Sequence, residues 1–587
     1  VCGVAVLCAL LAMPAAAQTQ ITTGVIQGTV VDASGGVVPG ANVEVKNLDT
    51  NATRTVVSDG DGRFAFLLLP SGRYTVTVTK DGFATRVQEG IVLTVGQAIN
   101  LNLDMKVAAA SEIITVTGTP TVDVIKTEVS NTLNQTTVSN TPVLGRKFED
   151  LLTLTPGVAI VQGPDGDSIT FAGQRGIYNN ISLDGGDYNN GFFGEQPGGQ
   201  RAAVDITLEA IKEFQVIPTG ANAEFGRTAG GVINVITKSG TNNVHGSLFH
   251  FQRLEALTAD NSDGTPNTDF HREQFGATIG GPVIPDRTFY FGAVERITGN
   301  LERANLSLPM GSCPVTGAAI VASAASIAAN GATGNGNLSN PECQRQALVA
   351  FMANTVGTTE DLPVRRPLFN TAFLGKVDHH FNQDHHLAFS YNFNYSKKVN
   401  ETFDVPTYGN SANGIEGGST INVFNVNLFS SLSPTMLNEA HFTYSRENRP
   451  RAAVQAGLDA DTGIGFSPSF RFGNPFFLNP TIDELIWRTQ VKDNFSIVYG
   501  KHTFKFGGEW MHTLNDQVFR GFFQGRFIFD SVEGFLRYAS PQTPAVAGFG
   551  PTTVGCSDGS YAEVTVGCPM GTTSTGGPLL LYLQGAG

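Results

Sequence analysis

The sequence predicts a mainly β protein built from several units: an N-terminal β-sandwich, an α+β unit and a run of antiparallel strands. The chain has 587 residues, more than one hydrophobic core normally supports, so two or more domains are expected. Only 15% of the residues are charged, whereas glycine (68 residues) and phenylalanine (40 residues) are abundant. Many segments alternate apolar and polar residues with period two, which is the pattern of strands with one buried face.

Charge and hydropathy exclude some classes of protein. The net charge of −14 argues against nucleic-acid binding, because proteins that bind nucleic acid usually carry a basic surface. Beyond the N-terminus no apolar run reaches about 20 residues, so any membrane span has to consist of strands. The low charge and the many Gly and Phe residues suit a turn-rich β protein, a class that includes membrane-spanning barrels.

The first 17 residues have the pattern of a secretory signal peptide. Val4 to Met13 is an apolar run, and Pro14 to Ala17 supplies the small residues expected before a cleavage site. The run is too short to cross about 30 Å of hydrocarbon as a helix. Neither an initiator Met nor a basic segment precedes it, so we expect residues 1–17 to be a partial signal peptide and the protein to be secreted.

Residues 21–107 show short strands and tight turns, which predict a small β-sandwich. Tyr74 to Val78 alternates with period two, and Asp59-Gly60-Asp61-Gly62 is a typical turn sequence. The Asp-Gly pairs lack the spacing and the closing Glu of an EF-hand, so a plain turn is favoured over a calcium site. The expected strands are Ile26–Val31, Ala41–Asn47, Thr53–Ser58, Arg63–Leu69, Tyr74–Lys80 and Ile99–Met105.

This sandwich resembles the carboxypeptidase regulatory-like domain, whose fold is transthyretin-like or carbohydrate-binding-like. The resemblance rests on Ser58–Phe64 followed by Leu69–Tyr74. It does not imply peptidase chemistry, and the sequence contains no His-x-x-Glu zinc pair. Glycan binding by the sandwich is one alternative function, with Phe83 as a candidate contact.

The stretch from Glu112 to Gly240 predicts a compact, glycine-rich α+β unit. Phe214–Val216 and Val232–Ile236 are expected strands, and Gly145–Leu152 is an expected short amphipathic helix. The order of residues resembles the plug domain of TonB-dependent outer-membrane receptors. In that family a Glu-containing strand, an aromatic-Gly turn and a Gly-Gly-Val-Ile-Asn-Val-Ile-Thr-Lys segment lead into a β-barrel. The plug-motif residues are Arg175, Gly176, Asp184, Gly185, Glu213, Glu224, Phe225, Gly226, Gly230, Gly231, Asn234, Thr237 and Lys238.

Four charged residues of the plug, Arg175, Asp184, Glu213 and Arg227, are expected to form ion pairs that hold it inside a polar barrel lumen. Ordinary solvated charge is the alternative. A loop between Gly186 and Arg201 carries aromatic and amide side chains that could bind a ligand, although loops also vary without function. The candidate ligand contacts are Tyr188, Phe192 and Phe193.

Between sandwich and plug, Ala108–Ser111 is an expected linker, and Glu112–Gly118 is an isolated β-prone segment. By resemblance this segment is the TonB box, which the inner-membrane protein TonB grips by strand addition. The alternative is a first strand of the plug. The residues of the expected TonB box are Glu112, Ile113, Ile114, Thr115, Val116 and Thr117.

From residue 243 onward the period-two pattern predicts strands with one face in lipid and one in a wet lumen. In Leu387–Ser396 every odd residue is apolar or aromatic and every even residue is small or polar. Thr503–Trp510 repeats the pattern, with aromatic residues on one face and Lys505 and Glu509 on the other. The polar stretches Gly299–Arg366 and Ser540–Gly577 are expected loops. Further expected strands are His245–Phe251, Thr288–Glu295, Phe424–Leu428 and His441–Ser445.

The cysteines of these loops fall into two pairs. Cys313 and Cys343 lie in one loop, and Cys556 and Cys568 in the other. In an oxidising compartment each pair is expected to form a local disulfide, Cys313–Cys343 and Cys556–Cys568. A thiol or metal role is the less favoured alternative, because no spacing matches a zinc site.

No credible catalytic site or cofactor site emerges, so we expect a non-enzyme without cofactor. Asp378–His380 with Asp384–His386 could ligate a metal, but neighbouring strand residues face opposite sides, so the four His side chains should not converge. Ser557 lies in a nucleophile-elbow pattern, but no His follows it in the chain as a hydrolase triad requires. Neither a P-loop nor a dinucleotide fingerprint is present.

The resemblance implies an Oar-like TonB-dependent receptor in the outer membrane of a Gram-negative bacterium. The expected domains are a partial signal peptide (1–17), the sandwich (21–107), linker and TonB box (108–118), the plug (119–240) and a partial barrel (243–587). Family barrels have 22 strands, and about 10 residues per strand leave room for roughly half of them here, so we expect a C-terminally truncated chain that cannot close a barrel.

The implied function is import of an unidentified extracellular ligand, with energy supplied by TonB and an ExbB/ExbD-type inner-membrane complex. The implied partners are therefore TonB, that ligand and outer-membrane lipid, and no nucleic acid. The second class of function is an Oar-like surface protein for protein export, adhesion or signalling.

Overall fold

The computed structural model confirms the mainly β fold class, with helices confined to short segments. It describes residues 21–107, 113–117, 129–143, 145–163, 166–191, 205–260, 269–303, 311–314, 340–360, 364–401, 413–454, 460–464, 470–476, 478, 482–500, 502–518, 521–532, 534–535, 553–558, 561–563, 567–576 and 579–585. The expected signal peptide, the expected linker Ala108–Ser111, Glu112, Phe192 and Phe193 lie outside these residues.

The N-terminal part is a sandwich of two sheets with strand orders β4-β1-β7 and β3-β2-β5-β6-β8. Strand β1 pairs antiparallel with β4 and parallel with β7, and β6 pairs antiparallel with β5. The strands are β1 (Thr23–Asp32), β2 (Asn42–Asn47), β3 (Thr53–Val57), β4 (Arg63–Pro70), β5 (Gly72–Thr79), β6 (Thr85–Leu93), β7 (Ala98–Met105) and β8 (Ile113–Thr117).

The alternating residues of these strands build the sandwich core. Val43, Val45, Val76 and Val78 are fully buried between the sheets, while the residues between them are half-buried or exposed. Tyr74 is also buried and donates its hydroxyl hydrogen to the carbonyl of Pro70 at 2.6 Å. This core explains why the period-two pattern located most of the strands.

The plug is built on a five-stranded sheet of order β13-β12-β15-β14-β9, with two helices and a separate hairpin, β10-β11. Its hydrophobic core includes Phe148, Phe214 and Ile233, and it continues onto Ile421 and Val423 outside the plug. The elements are β9 (Val129–Leu133), α1 (Gln135–Asn140), α2 (Phe148–Leu152), β10 (Val158–Gly163), β11 (Gly166–Phe171), β12 (Asn180–Leu183), β13 (Gly186–Asp187), β14 (Ile211–Thr219) and β15 (Val232–Thr237).

The expected helix Gly145–Leu152 is shorter in the structure. Lys147 has extended backbone angles and precedes α2, which begins at Phe148. Gly145 and Arg146 lie before the helix, and Arg146 has a positive φ of 51°, which a helix does not contain.

The rest of the chain is dominated by a nine-stranded antiparallel sheet, called here the wall, of order β16-β17-β18-β19-β20-β21-β22-β25-β26. Short turns join its strands at one end, the hairpin end, and long connections join them at the other, the long-loop end. Its outer strands, β16 and β26, are not paired with each other, so within the described residues the barrel is open.

In chain order, the strands after the plug are β16 (His245–Leu254), β17 (His271–Ile284), β18 (Thr288–Arg303), β19 (Val364–His380), β20 (His385–Glu401), β21 (Gly414–Ser433), β22 (Met436–Ala453), β23 (Asp461–Ile464), β24 (Phe470–Phe472), β25 (Ile482–Tyr499), β26 (His502–Gln517), β27 (Arg526–Phe529), β28 (Thr553–Cys556), β29 (Tyr561–Glu563), β30 (Ser574–Gly576) and β31 (Leu579–Leu583).

The two faces of the wall differ as the alternation predicted. In β20 the even residues Ser390, Asn392 and Asn394 are buried against the plug, while Phe389 is 39% exposed on the other face. In β26, Trp510 is 57% exposed on the outer face. The polar face therefore surrounds the plug, and the aromatic face points away from it.

At the long-loop end, segments from two connections and from the chain after β26 fold into one unit, called here the cap. Helix α3 (Pro341–Phe351) and a following π-helical turn (Met352–Val356) pack against the sheet β24-β23-β27-β31. The disulfide Cys313–Cys343 fastens α3, with a Cα–Cα distance of 5.0 Å, and Cys556–Cys568 closes a second connection at 5.6 Å. Among the helices described, none combines the length and the apolar character that a transmembrane helix needs.

Candidate functional site

The candidate site is the plug together with the wall and sandwich residues that hold it. Strands β14 and β15 pair antiparallel, with Phe214 opposite Val235 and Val216 opposite Ile233, as expected for the segments predicted as strands. Gly231 packs so closely on Phe171 that a Cβ would lie 2.4 Å from the Phe171 ring. A side chain at this position would therefore push β15 away from the β10-β11 hairpin.

Asp184 and Gly185 form a tight turn that fixes the end of β15. Both have positive φ values, 49° and 87°. The Asp184 carboxylate accepts hydrogen bonds from the Thr237 backbone N–H (2.9 Å) and hydroxyl (2.6 Å). On the wall, Lys376 Nζ lies 3.5 Å from the same carboxylate. Asp184 therefore orders the plug internally and also ties it to β19.

Asp187 is the centre of a second buried contact between plug and wall. Its carboxylate pairs with Arg227 of the plug at 3.0 Å and with Arg488 of β25. Arg488 also donates to the carbonyl of Asn189. The Asp187 and Arg488 side chains are 4% and 3% exposed, so this carboxylate and guanidinium depend on each other for charge compensation.

Glu224 makes the third contact of this kind. Its carboxylate lies 2.7 Å from Lys505 Nζ on β26, and Lys505 also faces Glu439 of β22 at 3.5 Å. Burial raises the pKa of Glu224, and the nearby Lys505 acts in the opposite direction. Phe225, next to it, is half-buried, and the Gly226 carbonyl accepts from the Asn180 side chain at 2.7 Å.

The opposite side of the plug contacts the sandwich. Glu213 accepts a hydrogen bond from the Val95 backbone N–H at 3.0 Å, and Lys212 donates to the carbonyl of Ser71. Asn234 donates to the carbonyl of Ile21. Burial raises the pKa of Glu213, while neighbouring Lys212 opposes the shift. The sandwich thus covers the plug at the hairpin end of the wall.

The other plug-motif residues have structural positions. Gly176 is buried and begins a 3-10 turn, and a Cβ on Gly230 would lie 2.5 Å from the Asn179 side-chain oxygen. The Lys238 backbone N–H donates to Ala210, and burial lowers the pKa of its ammonium group.

Four residues were expected to form ion pairs that hold the plug in the lumen, and the expectation is wrong for two of them. Asp184 pairs with Lys376 of the wall, whereas Arg227 pairs within the plug, with Asp187, which itself contacts Arg488 of the wall. Arg175 is exposed beside the 3-10 turn and has no ion pair within the described part of the chain. Glu213 points out of the lumen, because its strand faces the sandwich there.

The expected exposure of Tyr188 as a ligand contact is also wrong. Tyr188 is 1% exposed, packs in the plug core and accepts a hydrogen bond from Asn392 of the wall at 3.1 Å. The turn around Gly186 is too short and too close to the wall to expose it. Phe192 and Phe193 lie outside the described residues.

The expected TonB box does not join the plug sheet. Ile113–Thr117 forms β8, which pairs parallel with β6 of the sandwich, with Thr85 opposite Ile113 and Glu89 opposite Thr117. The alternative, a first strand of the plug, is therefore wrong, since the sheet partner belongs to the other unit.

A cavity of about 470 Å³ lies where sandwich, plug and hairpin end meet. The residues that line this cavity include His380 and His386, whose ring centroids lie 4.4 Å apart in a stacked arrangement, and Asp378, 3.3 Å from His386. His379 and His385 instead contact Thr288 and Ser430. In the described ranges no three metal-ligating side chains converge.

Sequence reasoning missed Lys376 and Arg488 as wall residues that bind the plug, and it placed Lys505 on the polar strand face without a plug partner. A partial signal was present, because each cation has an apolar or aromatic neighbour in its strand: Lys376 precedes Val377, Arg488 follows Trp487, and Lys505 lies between Phe504 and Phe506. A buried cation in such a strand needs an anion opposite it, and the plug supplies three carboxylates.

Comparisons with known families match two parts of the chain. Residues 236–570 match the family described as Outer membrane beta barrel domain. Residues 25–106 match the Carboxypeptidase regulatory-like domain. The second match covers the described sandwich without β8 and agrees with the resemblance drawn from the sequence.

Two curated relatives are similar to parts of the chain. The TonB-dependent transporter Oar of Myxococcus xanthus is 31% identical over 285 residues, 45% of this chain and 26% of that protein. The probable TonB-dependent siderophore receptor PirA of Acinetobacter baumannii is 34% identical over 100 residues, 17% of this chain and 11% of that protein. The chain thus matches about a quarter or less of each relative's length.

Solved structures of outer-membrane receptors are similar at a coarser level. The transporter YddB of Escherichia coli has a TM-score of 0.45 and 11% identity, over 68% of this chain and 50% of that one. The siderophore receptor PirA of Acinetobacter baumannii has a TM-score of 0.44 and 15% identity, over 67% and 49%.

Proposed function

The chain belongs to the outer membrane beta barrel domain family, and we propose that it is a TonB-dependent receptor of a Gram-negative outer membrane that imports an extracellular ligand. In this proposal TonB, energised by an ExbB/ExbD-type complex, grips Ile113–Thr117 and transmits force to the plug. The chain itself is proposed to act as a binder and gate, without catalysis.

The main observation in favour is the way the plug is held. Three acidic plug residues, Asp184, Asp187 and Glu224, each face a wall cation in a buried setting. An ion pair of this kind holds a defined position, yet water can replace each partner once the plug shifts. The arrangement therefore supports a plug that is fixed at rest and movable under force.

The proposed domain assignment follows the sequence expectation. We assign the sandwich to residues 21–107, linker and TonB box to 108–118, the plug to 119–240 and wall strands to the residues after 243. Ligand contact is assigned to the long-loop end, where Phe192 and Phe193 remain candidates and the buried Tyr188 does not.

A second candidate function is that of an Oar-like surface protein for export, adhesion or signalling. The cap favours it, because this unit has an aromatic core of its own: Phe472 and Phe535 meet at 4.9 Å. A folded unit outside the membrane can present a binding surface without transport. Glycan binding through Phe83 is less supported, since Phe83 packs against the sandwich core.

The test is binding of a TonB C-terminal domain to the full chain, with and without Ile114→Pro. Proline removes a backbone donor, so binding should fall at least about tenfold if β8 is the site. Asp81→Pro is the matched control, because Asp81 occupies the first central position of a tight turn closed by Phe83 N–H to the carbonyl of Lys80.

Equal binding by the Ile114→Pro variant and the unchanged chain would place the TonB contact elsewhere. Absence of TonB binding in every form would move the assignment to the surface-protein function.

A further inference from the structure

The strand that carries the expected TonB box is already extended and paired in the resting protein. All five residues of β8 have register partners on β6, from Thr85↔Ile113 to Glu89↔Thr117. Strand β8 is the last strand in the order β3-β2-β5-β6-β8, so one of its edges is bonded and the other is an outer sheet edge.

This outer edge lacks the features that usually protect sheet edges. Proteins block exposed edges with charges, prolines, bulges or a covering element. The sequence Ile-Ile-Thr-Val-Thr has no charge and no proline, its pairing with β6 has no register shift, and no strand among the described residues covers it. The opposite edge strand, β3, is covered: Gln383 and Ser431 of the wall contact Thr53 and Arg54.

From this contrast we propose that the sandwich presents Ile113–Thr117 as a preformed edge strand, and that TonB adds its own strand to the outer edge of β8 while β8 stays on β6. The product is one continuous sheet across the two proteins. This inference rests on the proposed function, because it names where and how TonB binds rather than whether it binds.

Pre-ordering gives this arrangement a physical advantage. Fixing a residue in an extended conformation costs conformational entropy. The sandwich has already ordered five residues, so TonB does not have to order them on binding. A box released into solvent would lose this advantage.

The experiment locks β8 onto β6. Val87 and Thr115 are register partners, so Val87→Cys with Thr115→Cys can be bridged by a short bis-maleimide in the full chain. The four loop cysteines are already paired as disulfides, and Cys2 and Cys8 of the expected signal peptide are replaced by serine in every form. We expect the bridged protein to bind a TonB C-terminal domain within about twofold of the unbridged protein, because the outer edge is untouched.

Two controls separate bridging from side effects. The same double variant capped with N-ethylmaleimide carries the added groups without a bridge. Glu44→Cys with Thr77→Cys, partners on β2 and β5, carries a bridge that does not involve β8.

A loss of about tenfold or more on bridging β6 to β8, with both controls intact, would show that the box must leave the sandwich and would overturn the proposal. Hydrogen exchange of β6 in the TonB complex gives a second readout that needs no variant. Retained protection of β6 supports the continuous sheet, and lost protection contradicts it. Failure of every form to bind TonB would instead refute the proposed function.

Discussion

The plug is held in different ways on its two sides. Toward the wall it uses charged side chains, with Asp184, Asp187 and Glu224 facing lysine or arginine. Toward the sandwich it bonds mainly to backbone atoms, including the Val95 N–H and the carbonyl of Ser71.

The wall contacts and the sandwich contacts differ in how strongly they hold the plug. Removing one member of a buried ion pair leaves an uncompensated charge, so the wall contacts fix one position of the plug strongly. A hydrogen bond between a charged side chain and a backbone atom adds about 1.5–3 kcal/mol net, so each sandwich contact is weaker than a buried ion pair whose partner is removed. We therefore expect the sandwich to leave the plug more readily than the plug leaves the wall.

The largest expected effect comes from Asp187→Ala. This change leaves Arg488, 3% exposed, without its carboxylate and should destabilise the seated plug by about 3–5 kcal/mol. Hydrogen exchange of β12, β14 and β15 measures the loss of protection. Asp81→Ala, in an exposed turn, should change protection by less than about 0.5 kcal/mol. Equal protection in both variants would mean that the ion pair does not hold the plug.

The second effect concerns Glu149, a buried carboxylate of the plug. Burial, followed by the nearby Asp205, raises the pKa of Glu149 to about 8, and burial raises that of Asp205 to about 6. The folded plug therefore holds a proton that the unfolded chain releases near pH 4.5. Stability from this site is complete below pH 4.5 and is lost as pH rises toward 8.

Glu149→Gln should remove this pH dependence. The variant should match the unchanged protein at pH 4 and be more stable by about 1–3 kcal/mol at pH 8. Thermal unfolding followed across that pH range tests this prediction. A variant that is less stable at pH 8 would show that the charged form of Glu149 is the stabilising one.

The smallest effect is expected at the sandwich contact. Gly96 has a φ of +67°, and a Cβ there would lie 2.6 Å from the flexible end of the Gln215 side chain. Gly96→Ala should weaken docking by about 1 kcal/mol beyond its backbone strain, because Gln215 has to move. Gly82→Ala is the matched control, since Gly82 has a similar φ of +84° and no atom within 4 Å of the added Cβ.

Protease sensitivity between sandwich and plug measures this docking. If both alanine variants are cleaved at the same rate, the Gly96 contact does not contribute to docking.

The fold could be predicted wherever one face of a strand is buried. Leu387–Ser396 is an example, because its small polar residues face the plug and its aromatic residues face outward. Strands β6, β17, β19 and β25 were missed; of these, β6 carries Arg86 and Gln88 on its buried face, and β17 contains Gly280, Gly281 and Pro282. These residues interrupt the apolar alternation without preventing strand pairing.

The site was predictable only in part. The turn at Asp184 and the glycines before β15 are required by local backbone geometry and close packing, so the sequence motif identifies them directly. The wall partners of Asp187 and Glu224 lie about 300 residues away in sequence, so spacing does not identify them. The docking of β8 on β6 was equally hidden, since main-chain pairing leaves little trace in side-chain sequence.

The cap has a consequence for the order of assembly. Phe351 and Phe535 meet at 5.6 Å, although six wall strands separate them in the chain. Closing so long a loop is entropically unfavourable until those strands have paired and brought the two segments together. The disulfide Cys313–Cys343 spans only 30 residues and does not depend on the wall. We therefore expect the disulfide to form early and the aromatic core of the cap to pack last. Packing of that core then indicates that the wall has assembled.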